Sequence, residues 1–157
     1  MGTSARWGRR NPLAVFNNMD RGRHTSKQFC RMLGGETLLT QTRRRVSPLF
    51  DADNVITVVT KKHEAFYSRE LNDWPPTAVV AQPENRGTGV AIGAAILMLR
   101  DLDSEAIVAV FPCYHHYSNE AAFLEVIDAG IQAARGNSDA IILVGAAATY
   151  PERNMAG

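Results

Sequence analysis

Short apolar runs alternate with amphipathic stretches along this chain. The runs are rich in β-branched residues and end at turn residues, which is typical of buried strands. They lie at Leu13 to Phe16, Val55 to Thr60, Thr77 to Ala81, Ala106 to Phe111 and Ala140 to Val144. Between them, apolar residues recur at helical spacing in residues 36–49, 61–71, 89–102 and 118–135. The alternation predicts an α/β fold with a mostly parallel sheet, right-handed crossovers and helices on both faces.

The last predicted helix has the clearest end signals. Ser118 is the expected N-cap, and the carboxylate of Glu120 in the first turn suits the positive end of the helix dipole. Gly136 and Asn137 follow the last apolar position and are typical of a helix C-terminus. The sequence therefore predicts a helix that follows directly on the strand at Ala106 to Phe111.

Length and composition favour one globular domain. The chain has 157 residues, of which 45% are hydrophobic and 21% charged, so it can bury a core of its own. Its net charge of +1 gives no overall field for nucleic acid or a membrane surface, and no apolar run is long enough to cross a membrane. Cys30 and Cys113 make no disulfide framework, so we expect reduced thiols and a cytoplasmic location. The sequence predicts an irregular basic segment at residues 1–26 and one regular domain at residues 27–157.

Four polar clusters follow predicted strands or lie near their ends. They are residues 27–29, 82–88, 112–116 and 149–152. In an open parallel sheet the loops at the carboxyl ends of the strands meet at one rim, which is where ligands bind. The second cluster also opens a helix, whose first backbone N–H groups favour anions. We therefore expect a pocket for a phosphorylated small molecule.

Taken singly, these residues also have ordinary structural interpretations. Lys27 alone is more often a surface lysine, and Arg86 could face solvent near a helix start. His115 and His116 are adjacent, so in a strand they would point to opposite faces, which disfavours a shared metal and predicts that one of them is packed. Cys113 is expected to be a small buried hydrophobic side chain rather than a nucleophile.

Four segments of the chain resemble the sequence motifs of one enzyme family. SKQFCRMLGGETLLTQTRRR is similar to PKQF-x-x-L-x-G-x-x-S/T-L-L-x-x-T-x-x-R, and QPENRGTGVAI to E/Q-P-x-x-R-x-T-A-P-A-I. AVFPCYHHYSNEAAF is similar to AVFPSDHxIxDxxAF, and LVGAAATYPE to LGI-x-P-T-x-P-E. These are motifs of the mannose-1-phosphate guanylyltransferases, and their order and approximate spacing agree with this chain from Lys27 to Glu152. The resemblance implies a divergent sugar-phosphate nucleotidyltransferase, with a three-layer Rossmann-like, mostly parallel sheet whose first strand is degraded and whose C-terminal half is missing.

The resemblance also implies a reaction and a set of residues. The phosphate of a sugar 1-phosphate would attack the α-phosphorus of GTP, pyrophosphate would leave, and Mg²⁺ would bridge phosphate oxygens. GTP and mannose 1-phosphate are the implied partners. Lys27 would neutralise phosphate charge, and one alignment sets Arg10 at the arginine of the family's glycine-rich loop. The nucleotide-binding residues would be Gln82, Asn85, Arg86, Gly87 and Thr88.

The chain departs from the family pattern at three places. The glycine-rich loop L-A-G-G-x-G-x-R-L-x-P-L has no match. One alignment leaves no first strand, whereas another makes Leu13 to Phe16 the strand, and we expect this strand to bridge Val55 to Thr60 and Ala106 to Phe111.

Tyr114 stands where the family has its metal-binding aspartate, and a phenol is a poor ligand for Mg²⁺, so we assign no metal ligand. The family's next segment would follow Glu152, and uncovered apolar surface would favour a homo-oligomer. A non-catalytic nucleotide-binding relic or regulatory partner is the alternative.

Overall fold

A computed structural model describes residues 12–17, 29, 31–33, 35–75 and 78–145. The strands in this part of the chain are β1 (Leu13–Asn17), β2 (Arg31–Leu33), β3 (Glu36–Thr37), β4 (Val55–Thr60), β5 (Val79–Gln82) and β6 (Val108–Pro112). The α-helices are α1 (Leu38–Val46), α2 (Glu64–Glu70), α3 (Thr88–Leu102) and α4 (Glu120–Gly136). Short 3-10 helices at Ala52–Asn54 and Lys61–His63 precede β4 and α2.

The main sheet has four parallel strands in the order β5-β4-β1-β6. The prediction of a strand at Leu13 to Phe16 is confirmed, and it joins β4 to β6 as expected. Ala14 pairs with Val55 on one side and with Ala109 on the other. Each of the first four side chains of β1 is at most 2% exposed, because this strand is covered on both faces and both edges. β2 and β3 form a separate antiparallel pair.

A hydrophobic core lies on each face of the sheet because successive side chains of β1 point in opposite directions. Ala14 and Phe16 pack on the face that α1, α2 and α4 cover, whereas Leu13 and Val15 pack on the face that α3 covers. The helices contribute Leu39, Val46, Tyr67, Ile127 and Ile131 to the first core, and Ala91, Ala95 and Leu99 to the second. The predicted three-layer α/β architecture is therefore confirmed.

The predicted strand at Ala140 to Val144 is wrong. Residues 140–145 pair with no strand in the described part of the chain. Ile141 and Leu143 are 89% and 88% exposed. Methyl groups of Ile142 and Val144 lie 3.8 and 3.7 Å from where a Cβ on Gly130 of α4 would stand. The segment has the composition of a strand and packs against α4. Strand propensity alone does not form a strand without a neighbouring strand to pair with.

Some predicted helix ends also differ. Ser118 is not the N-cap of α4; the side-chain oxygen of Asn119 accepts a hydrogen bond from the N–H of Ala122 at 3.0 Å, because Asn119 directly precedes the first helical residue. α1 begins at Leu38 rather than at residue 36, since Thr37 ends β3 and caps the helix by accepting from the N–H of Thr40. The predicted end of α4 is confirmed, with Asn137 at the C-cap.

No helix in the described residues is long and apolar enough to span a membrane.

Candidate functional site

The carboxyl ends of the four parallel strands lie along one rim of the sheet. They end at Asn17 (β1), Thr60 (β4), Gln82 (β5) and Pro112 (β6). Neighbouring strands are about 4.8 Å apart, so the ends of β5 and β6 are roughly 14 Å from each other. After β1, the chain adds β4 and then β5 on one side of β1, and it then crosses to the other side to form β6. The direction in which strands are added to the sheet therefore reverses between β1 and β6. Ligands of open α/β sheets bind at such a switch point.

The loop from β5 to α3 brings together the predicted nucleotide-binding residues. Gly87 is the N-cap of α3 and has φ +93°, a conformation that disfavours a side chain. The side-chain oxygen of Asn85 accepts a hydrogen bond from the N–H of Gly87 at 3.0 Å, which fixes the turn. No side chain among the described residues caps α3, which begins at Thr88, so its first N–H groups can meet a ligand at the rim.

Two further side chains of this loop can meet a ligand. Arg86 is exposed. Gln82 is half-buried, and its Nε2 is buried without a hydrogen-bond partner among the described residues. A buried amide without a partner is costly, so a polar group of a ligand would satisfy it. This loop therefore offers a guanidinium, an amide and a helix N-terminus to an anionic ligand.

Two of the predicted site residues, Lys27 and Arg10, lie outside the described residues, as does the cluster at 149–152. Phe29, two residues after Lys27, is described. Its ring stacks on that of Phe66 with the centroids 5.9 Å apart, and meets the edge of His63 at 6.4 Å. Phe29 is thus anchored where β4 passes into α2.

The loop from β6 to α4 differs from the sequence interpretation in one respect. Cys113 is fully buried, as expected, and burial raises the pKa of its thiol, so the thiol stays protonated. His115 and His116 are both exposed, so the expectation that one of them is packed is wrong. The rule of opposite faces holds within a strand, whereas β6 ends at Pro112 and these residues lie in the turn beyond it.

The residues after β6 do not fit Mg²⁺. Mg²⁺ prefers carboxylate, phosphate and water oxygens, whereas this position offers the phenol of Tyr114, 44% exposed, and a buried protonated thiol. Among the described residues, no three His, Cys, Asp or Glu side chains lie close enough together to hold a metal ion. We therefore assign Mg²⁺ no protein ligand in this loop.

Arg45 fixes this loop to α1, and the sequence interpretation missed it. Its side chain is 2% exposed, and its Nε lies 3.3 Å from a carboxylate oxygen of Glu120. Its guanidinium carbon lies 5.0 Å from the ring centre of Tyr117 and 5.7 Å from that of Phe123. Helical spacing could have indicated its burial, because Arg45 follows Leu38 and Thr42 on the same face of α1.

The chain is similar in sequence to two bacterial proteins of polysaccharide biosynthesis. It matches no protein-family profile. It is 27% identical over 128 residues to the xanthan biosynthesis protein XanB of Xanthomonas campestris, and 26% identical over 129 residues to the alginate biosynthesis protein AlgA of Pseudomonas aeruginosa. These matches cover 80% of this chain but only 27% and 26% of the relatives, so the chain spans about a quarter of their length.

Solved structures show the same fold. Mannose-1-phosphate geranyltransferase from Thermus thermophilus is similar with a TM-score of 0.61 and 23% identity, over 79% of this chain and 38% of that one. Mannose-6-phosphate isomerase from Helicobacter pylori is similar with a TM-score of 0.58 and 21% identity, over 80% of this chain and 46% of that one.

The chain therefore belongs to the class of α/β proteins with a parallel sheet and helices on both faces, the fold that it shares with these two structures. Over the same part of the chain, the sequence is similar to proteins of xanthan and alginate biosynthesis.

Proposed function

We propose that this chain forms the nucleotide-binding part of an enzyme that makes nucleotide sugars, with GTP and mannose 1-phosphate as its substrates. The observation that carries the proposal is the turn at Gly87, which presents the uncapped N-terminus of α3 at the carboxyl rim of the sheet. The buried Nε2 of Gln82 and the exposed Arg86 are available for the same ligand.

In the proposed reaction, a phosphate oxygen of mannose 1-phosphate forms a bond to the α-phosphorus of GTP while the bond to the β-phosphate breaks. The products are GDP-mannose and pyrophosphate. The protein's part is to hold two anions in line despite their repulsion. Lys27 would neutralise phosphate charge, and Gln82, Asn85, Arg86, Gly87 and Thr88 would hold the nucleotide. Arg10 is left out of the proposed site, because the alignment that assigned it leaves no first strand, whereas Leu13–Asn17 forms β1. The family resemblance also implies Mg²⁺.

Replacing Gly87 with alanine tests the nucleotide site. At φ +93° a side chain costs about 1–2 kcal/mol, so the turn should relax and move the N–H groups of α3. We expect the affinity for GTP, measured by calorimetry, to fall about tenfold, which corresponds to about 1.4 kcal/mol.

Gly35 provides the matched control for this substitution. It also has a positive φ, +83°, and open space where a Cβ would stand, but it lies between β2 and β3. Gly35→Ala should strain the backbone to a similar extent and leave the affinity for GTP unchanged. Equal losses in the two variants would mean that strain, not the site, controls binding.

A non-catalytic nucleotide-binding relic or regulatory partner is the second candidate, and Tyr114 at the position of the family's metal-binding carboxylate favours it. A pyrophosphate-release assay with GTP, Mg²⁺ and mannose 1-phosphate separates the two functions. We expect little turnover with this chain. Robust turnover that Lys27→Ala abolishes would rule out the relic and support the enzyme.

We also propose a cytoplasmic location and self-association of this chain. The apolar segment Ile141–Val144 supports self-association, because Ile141 and Leu143 are almost fully exposed and carry no charge. Light scattering after size exclusion should give a mass above 17.2 kDa that rises with concentration. The double variant Ile141→Ser, Leu143→Ser should be monomeric. Phe66→Ser, which removes an apolar side chain that is 41% exposed on α2, should leave the oligomer intact. A monomeric parent would contradict self-association.

A further inference from the structure

We propose that the loop from β6 to α4 binds the sugar ring of the sugar phosphate by stacking it on Tyr114, with His115 beside it. This inference rests on the proposed function and names the part of the site that receives the sugar. The two side chains follow directly on β6, at the rim where the strand order reverses between β1 and β6.

The rings of this loop form a connected series held in fixed orientations. Tyr114 and His115 meet edge to face with centroids 4.5 Å apart, and His115 meets Tyr117 in the same way at 6.3 Å. Tyr117 packs on Phe123 at 4.2 Å, and the buried guanidinium of Arg45 lies over both. The series runs from the buried end of Arg45 to the exposed ring of Tyr114. A ligand that stacks at the exposed end therefore meets rings that lose little freedom on binding.

The chemistry of this loop suits a sugar ring. An aromatic ring packs against an apolar surface, and the hydroxyl of Tyr114 and the imidazole of His115 can exchange hydrogen bonds with hydroxyl groups around that surface. A pyranose offers this combination, with C–H groups on its faces and hydroxyls at its rim. Where the resembled family has a metal-binding aspartate, this chain has Tyr114. Its phenol is a poor ligand for Mg²⁺, but its ring offers a surface on which a sugar can stack.

The distance between the ends of β5 and β6 indicates whether the base of GTP or the sugar ring of the second substrate binds at Tyr114. The proposed nucleotide loop follows β5, and the ends of β5 and β6 are roughly 14 Å apart with two strands between them. A base held beside Gln82 cannot also stack on Tyr114. The ring near β6 is therefore that of the second substrate.

The test measures the affinity of the full chain for mannose 1-phosphate, GTP and inorganic phosphate by calorimetry. Tyr114→Ala should weaken the binding of mannose 1-phosphate about tenfold and leave that of GTP and inorganic phosphate unchanged, because neither probe has a sugar ring at this position. Tyr114→Phe keeps the ring and should bind within about twofold of the parent. His116→Ala removes an exposed imidazole that makes no ring contact among the described residues, and it serves as the matched control.

Each of these results would overturn the inference: no loss in Tyr114→Ala, an equal loss in Tyr114→Phe, or an equal loss for inorganic phosphate. Tyr114 is exposed, so its variants should fold, and circular dichroism checks this. GTP binding that depends on Gly87, without binding of mannose 1-phosphate, would overturn the inference and leave the nucleotide site standing. Mannose 1-phosphate binding that depends on Tyr114, without GTP binding, would support the sugar site and reject the nucleotidyltransferase.

Discussion

Replacing Arg45 with methionine should lower the free energy of unfolding by about 1–2 kcal/mol. Methionine fills a similar volume, so the loss comes from the ion pair with Glu120 and from the guanidinium contacts with Tyr117 and Phe123. The Glu120 side chain is 37% exposed and keeps a contact with Arg44, so no unpaired buried charge is left behind. The substitution also removes the buried Nη2 of Arg45, which has no hydrogen-bond partner among the described residues. Urea denaturation followed by circular dichroism measures the loss.

Arg44 is the matched control, because it contacts the same carboxylate from solvent. Its Nη1 lies 3.4 Å from Glu120, and its side chain is 56% exposed. Ion pairs at the surface contribute at most about 1 kcal/mol, so Arg44→Met should be nearly neutral. Combining each arginine variant with Glu120→Gln should give a larger coupling energy for Arg45 than for Arg44. Equal losses for the two arginines would mean that burial of Arg45 does not matter.

The central part of the fold could be predicted from the sequence because its signals are local. The apolar run Leu13 to Phe16 could be recognised as a strand by itself, whereas its place between β4 and β6 was expected from the family resemblance, and the structure confirms it. The β5–α3 loop could be predicted for the same reason, since Gln82 to Thr88 are contiguous and directly open a helix. Periodicity and turn chemistry suffice where neighbours in space are neighbours in sequence.

The predictions that the structure contradicts or extends depend on contacts between residues that are distant in the sequence or on the exact position of a helical turn. A local sequence pattern shows neither. Ala140 to Val144 has the composition of a strand, but composition cannot show whether another strand lies beside it. Ser118 and Asn119 are chemically equivalent caps, and only the position of the first helical turn decides between them. Arg45 looks like one of three solvated arginines, and its partner Glu120 is 75 residues away in the sequence.

Replacing Phe16 with alanine should destabilise the protein by about 3–5 kcal/mol, a large part of the 5–15 kcal/mol that holds a typical domain folded. Phe16 is 0% exposed, and its ring lies 6.1 Å from that of Phe111 and 6.4 Å from that of Trp74. The truncation leaves a cavity next to the central strand, where β4 and β6 hold the backbone on both sides and limit its collapse. The midpoint of urea unfolding should fall accordingly, with an unchanged slope.

Phe66→Ala removes the same side chain from the surface and shows how much of this loss is due to burial. Phe66 is 41% exposed on α2 and stacks on Phe29, so its truncation should cost about 1 kcal/mol. Phe16→Leu keeps most of the buried volume and should fall between the two alanine variants. If Phe16→Ala cost no more than Phe66→Ala, β1 would not be the buried centre of the sheet, and the rim between β1 and β6 would lose its structural basis as a binding site.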